Sequence, residues 1–290
     1  MPLSHSSRLG AVAAAGLLAL AGCGGNDNPA VEDGGGSPSA AAGPVHVHGL
    51  GINPKDRSLF IATHTGLFRV GRGQTKAARV GDSEQDTMGF TVAGPDRFLG
   101  SGHPSEFENG PPLLGLIRST DAGRTWTNVS LSGEADFHVL RAAGRQVYGF
   151  DASNARFMVS GDEGESWDER TPPGPLIDLA VDPRESKRAV ASAEDGVYIS
   201  RDAGKSWRPL ARAVGLLAWP VRDRLYLVDA QGVAHVSGDG GRRWSRRGSI
   251  GGQPAALLGQ GAEGLYAALP DGTIKQSADG GSSWTVRSTP

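Results

Sequence analysis

The 290-residue chain sets 29 lysines and arginines against 31 aspartates and glutamates, a formal net charge of −2, and has a single cysteine. A chain this close to neutral, with no basic stripe and no interleaving of basic and aromatic residues, is not expected to take nucleic acid as a partner. One cysteine excludes an intrachain disulfide.

In chain order, the first element is an export segment. Arg8 supplies a positive start, and Leu9 to Gly22 is an apolar run too short to persist as a spanning helix. It ends in Leu20-Ala21-Gly22-Cys23, which resembles the lipobox of bacterial lipoprotein signal peptides. That resemblance implies removal of residues 1–22 and a lipid on Cys23, leaving no thiol for catalysis. The expected location is the extracytoplasmic face of a bacterial cell envelope, with the membrane as a partner through the lipid. Residues 24–43 are glycine, serine, alanine, proline and acid, so 23–43 is expected to be a flexible tether. No second shift of composition follows, and 44–290 is expected to form one domain.

That domain is built on a repeat. The stretch SRDAGKSW at 200–207 has close copies at 119–126, 160–167, 237–244 and 277–284, which places Trp126, Trp167, Trp207, Trp244 and Trp284 at separations of 41, 40, 37 and 40 residues. Each copy carries one aspartate: Asp121, Asp162, Asp202, Asp239 and Asp279. Between copies run three short apolar strands separated by turns, and HGLGINPKDRSLFIATHTGLFRVG (48–71) is the same unit without its turn motif. Six units are expected near 46–82, 86–132, 136–171, 176–212, 214–249 and 253–290. A period of about 40 residues with four strands each predicts an all-β fold, a six-bladed β-propeller.

The repeated turn resembles the Asp-box, or BNR repeat, of sialidases, sortilin-like receptors and photosystem assembly factors. The resemblance covers 44–290 and implies the fold, whereas its members do unrelated things. In each turn the glycine is expected to permit the backbone bend, the aspartate to accept N–H groups, and the tryptophan to cover the neighbouring blade. One carboxylate per turn is too few for calcium. These residues are expected to be scaffold.

Function is expected on the opposite rim, where innermost strands start and second strands end. Innermost strands begin with His46 and His48, Asp86 and Met88, Asp136 and His138, then Ile177. Second strands end with His64, His103, Ala152 and Glu194. Period-two alternation is expected to put His46 and His48 on one face. Of the seven histidines, five gather on this rim in the first three units, while His5 lies in the export segment and His235 lies elsewhere. A lone rim histidine ordinarily caps backbone or fills a polar gap. Five on one sector, with Met88, point to a transition metal or to a histidine-lined site for a small ligand or glycan. Imidazole with thioether points toward copper, imidazole with carboxylate toward zinc.

Enzymatic readings rest on resemblance. The opening of 46–69 looks like a bacterial lipoprotein family catalogued as glycosyl hydrolases. Sialidase chemistry, as the Asp-box implies it, needs an arginine triad, an activated tyrosine and an acid. The expected Phe/Tyr-Arg-Ile-Pro motif is missing, with Leu67-Phe68-Arg69-Val70 the nearest approach, and Tyr148, Tyr226 and Tyr266 share a core register with Phe60. Asp86 with Asp136 or Glu194 remain candidates for paired carboxylates. A non-catalytic scaffold for a surface protein partner is the third reading, with the enlarged connection 103–117 as a contact loop or lid.

Overall fold

The computed structural model describes residues 43–105 and 109–290. The export segment, Cys23, the tether up to residue 42 and part of the 103–117 connection lie outside the described residues. Within them, six four-stranded antiparallel sheets follow one another, each built from consecutive strands. The blades span 47–79, 86–130, 137–170, 176–211, 216–249 and 256–288. The protein is a six-bladed β-propeller, with boundaries close to those read from the repeat.

Its core is distributed between blades. Each apolar cluster takes residues from two successive sheets, such as Leu99 and Leu116 of blade two with Phe137, Leu140 and Val147 of blade three. The ring closes in the same way, Ala256, Ala268 and Ile274 of blade six packing on Val47, Leu50 and Ile61 of blade one. Among the described residues no blade borrows a strand from another part of the chain. Where blade one lacks the repeated turn, Arg287 of blade six donates to the Gly71 carbonyl at 3.1 Å and to that of Gln74.

The five Ser-x-Asp-x-Gly-x-x-Trp turns share one hydrogen-bond pattern, illustrated by blade four. Ser200 Oγ donates to Asp202 Oδ1 at 2.8 Å and accepts Gly204 N at 2.8 Å, while Ser206 N donates to Asp202 Oδ1 at 2.9 Å. The Ser206 hydroxyl, then its N–H, hold the Asp202 carboxyl at about 2. The turn glycines have positive φ, and a Cβ on Gly164 would sit 2.0 Å from Leu116 Cδ2 of the preceding blade. Each tryptophan then joins the cluster shared with that blade; Trp167 lies 4.8 Å from the Phe137 ring, and its Nε1 donates to Ser130 Oγ at 3.0 Å. The carboxylate is consumed by the turn itself, which makes these corners structural. Asp202→Ala leaves turn N–H groups unsatisfied and is expected to cost about 1–2 kcal/mol. A thermal melt reads this as a drop of about 2–8 °C, and an unchanged midpoint would show that the turn does not depend on its carboxylate.

Candidate metal centre

The rim opposite these corners is shaped by four β-bulges. In the innermost strand of blade one, Val47–Ile52, the register passes from Val47↔Thr63 to Gly49↔Ala62 and leaves His48 unopposed. The same slip leaves Met88 unopposed in Asp86–Gly94, His138 in Phe137–Ala143 and Ile177 in Leu176–Val181. Blades five and six pair regularly at this point. A bulge re-aims the extra side chain, and all four extra residues line one cavity of about 590 Å³ among the innermost strands. Other charged groups in its wall satisfy each other: Arg141 donates to Asp178 Oδ1 at 2.6 Å and to the Leu179 carbonyl at 2.9 Å. His48 and His138 bring imidazoles and Met88 a thioether to the same wall.

Gly102 allows the blade-two bulge to close. Its φ is +142°, and a Cβ there would lie 2.0 Å from the Asp86 carbonyl oxygen and 2.9 Å from Met88 N. Simple alternation fails at His46, which precedes its strand, is exposed and has φ +52°. The backbone turns there, so His46 and His48 are not two positions of one regular face.

The predicted residues meet in two groups. In the first, His64 Nδ1 donates to Asp86 Oδ2 at 2.7 Å, and His48 Nε2 stands 4.0 Å from Asp86 Oδ1. The His48 and His64 rings meet edge to face at 4.3 Å, and the His46 ring lies 5.4 Å from that of His64. His48 Nε2 and Asp86 Oδ1 are both buried without a hydrogen-bond partner. Burial, reinforced by His64 and opposed by Asp86, pushes His48 down to about 4. At neutral pH it is an uncharged imidazole with a lone pair to give.

In the second group, Asp136 Oδ2 accepts from His138 Nε2 at 2.8 Å and lies 3.3 Å from His103 Nε2. His103 Nδ1 donates to the Pro112 carbonyl at 2.9 Å. That Asp136 hydrogen bond, against a burial penalty, raises His138 above the ordinary histidine range. The two groups adjoin, because Asp86 and His103 are register partners.

Two residues outside the expected set hold this frame. Asp151 is fully buried and accepts Asp136 N at 3.1 Å while Arg156 donates to it at 2.8 Å. Ser101 Oγ accepts Phe137 N at 2.9 Å and ties blade two to blade three. Their signal in the sequence is an aspartate and a serine near second-strand ends. Glu194 is exposed and joins neither group. His235 pairs with Asp229 at 3.0 Å in blade five. Tyr148 and Tyr226 donate to the carbonyls of Ser186 and Ala262, and burial pushes both phenols up, the reverse of an activated nucleophile.

The first group can hold a metal ion. One ligand atom from each of His48, His64 and Asp86 falls within 4.8 Å of the other two. A 4.0 Å separation is too long for a hydrogen bond but close to twice a metal–N or metal–O bond of about 2.0–2.2 Å.

Comparison with known proteins agrees with the fold. The Sortilin-Vps10 family model (sortilin, neurotensin receptor 3) matches residues 115–235. The dispase autolysis-inducing protein of Streptomyces mobaraensis is 28% identical over 98 residues, which is 33% of this chain and 26% of that protein. Among solved structures, the GH74 xyloglucanase from Xanthomonas campestris aligns with TM-score 0.58 at 20% identity over 86% of this chain and 46% of its own. The nidogen/laminin complex gives TM-score 0.64 at 14% identity over 80% of this chain and 93% of that one. Likeness at these identities establishes a β-propeller.

Proposed function

We propose that this protein is a membrane-tethered, extracytoplasmic propeller of the Asp-box type that binds a transition metal through His48, His64 and Asp86. His46 and Met88 stand as further donors from the same sector. Copper is preferred to zinc because the Met88 thioether lines the same cavity as His48. The carrying observation is the pair of buried, unpartnered atoms, His48 Nε2 and Asp86 Oδ1, facing each other across 4.0 Å. Burying a polar group without a partner costs free energy, and a cation between a neutral imidazole and a carboxylate removes that cost at both atoms. The lipobox-like Leu20-Ala21-Gly22-Cys23 supports attachment to the cell envelope through Cys23.

The test is metal content after copper loading and dialysis. The His48→Ala/His64→Ala double variant is expected to retain one equivalent less than the parent protein, with its far-UV spectrum unchanged. Equal metal in both would overturn the reading. A second reading is a carbohydrate-binding or sialidase-like glycosyl hydrolase working through Asp86 and Asp136, supported by the xyloglucanase likeness. It requires turnover of glycosides that Asp86→Asn abolishes. A surface scaffold for a protein partner, supported by the nidogen/laminin likeness, requires a binding partner indifferent to chelators.

A further inference from the structure

The rim of repeated turns, opposite the histidines, holds a cavity of its own. It lies between blades two and three, measures about 210 Å³, and has three arginines and one glutamate in its wall: Arg97, Arg118, Arg145 and Glu163. The arginines reach Glu163 from three elements. Arg97, at the start of Arg97–His103, donates from Nη2 to Glu163 Oε2 at 2.8 Å. Arg118, in Leu116–Ser119, donates from Nη2 to the Glu163 carbonyl at 3.1 Å. Arg145, in the turn before Gln146–Asp151, accepts the Glu163 N–H on its own carbonyl at 2.9 Å.

This leaves donors and charge without a match. The one carboxylate in the wall pairs with Arg97. The exposed Arg145 side chain makes no ion pair or hydrogen bond among the described residues. Arg118 Nε is buried and has no acceptor, a state that costs free energy. The wall thus carries an excess of two positive charges, set against the buried side chains of Phe98, Leu99 and Val147, where screening is weak. Glu163 also stands out among the five turns. It holds a left-handed φ of +67° at a position that is alanine in Ala122 and Ala203 and glycine in Gly240 and Gly280.

We infer that Arg97, Arg118 and Arg145 form an anion site that takes a phosphate group, as the free ion or as the monoester of a small molecule. A guanidinium presents its N–H groups in a planar fork that matches phosphate oxygens in pairs. A phosphate monoester carries about −1.5 to −2 near pH 7, close to the excess in the wall. A carboxylate brings one charge and two oxygens and leaves more of these donors unused. The site shares no residue with His48, His64 and Asp86, so it does not rest on the metal reading.

The experiment is calorimetric titration of the purified full chain, freed of metal so that phosphate cannot ride on a bound ion, in HEPES at low ionic strength. The probes are inorganic phosphate and glycerol 3-phosphate, and saturable binding of one equivalent is expected. Arg145→Ala is expected to weaken binding and Glu163→Ala to tighten it, each by roughly tenfold. Alanine already stands at the Glu163 position in two other turns, so that variant keeps the fold, and far-UV circular dichroism checks both. Binding of neither probe to the parent or to Glu163→Ala overturns the inference. Parental affinity in Arg145→Ala puts the phosphate elsewhere and overturns it too. Tighter glycerol 3-phosphate supports a monoester as the ligand, and tighter inorganic phosphate supports the free ion.

Discussion

Gly102→Ala is expected to release the metal from the rim and lower the melting temperature by roughly 6–12 °C. The added Cβ would lie 2.0 Å from the Asp86 carbonyl oxygen and 2.9 Å from Met88 N, both backbone atoms that cannot rotate away. An alanine at φ +142° adds its own strain. Overpacking and strain together come to about 3 kcal/mol, and a domain of this size loses about 2–4 °C per kcal/mol. The backbone that must shift carries Asp86, so metal content should fall with stability. Gly144→Ala is the control: its φ is +60°, nothing lies within 4 Å of the added Cβ, and it should melt slightly lower while keeping its metal. A Gly102→Ala protein with parental melting and metal content would show that the bulge tolerates a side chain and does not set the site.

The second large effect is in acid. Burial holds His48 at about 4, against 6.5 for the free side chain. The folded pKa lies below the unfolded one, so between these values the unfolded chain binds a proton that the native protein refuses. His48 therefore contributes stability that is complete above pH 6.5 and is lost progressively as pH falls toward 4. The difference corresponds to about 3 kcal/mol in the metal-free protein. Other groups titrate in the same range, so the informative quantity is the gap between proteins. His48→Gln, which cannot take the proton, should lose about 3 kcal/mol less than the parent between pH 7 and 4 in denaturant melts. Parallel curves for the two proteins would mean that His48 is freely protonated in the fold.

The blades were legible because each corner spends a serine, an aspartate, a glycine and a tryptophan on one hydrogen-bonded turn, which fixes the residue types and their period. Blade one lacks that turn and was still readable, since Leu59–Thr63 and Gly66–Val70 keep the apolar pattern of the other second and third strands. The rim was legible at the level of position. Strand ends placed Asp86 and His103 on the same rim, and the register pairs them. Alternation could not show the four bulges, because a bulge is decided by backbone packing, such as the contact that only Gly102 permits. Without them the histidines read as one assembly. With them His48, His64 and Asp86 separate from His103, His138 and Asp136. The Pro112 carbonyl was missed for a related reason: its role depends on loop backbone that carries no residue-type signal.

Anomalous diffraction from crystals of the copper-loaded protein, recorded on both sides of the copper edge, examines the first site directly. A peak is expected between His48 and Asp86, about 2 Å from His48 Nε2 and from a carboxylate oxygen of Asp86, with His64 or Met88 turned toward it. A map with no peak there, or with copper only on scattered surface groups, would contradict it.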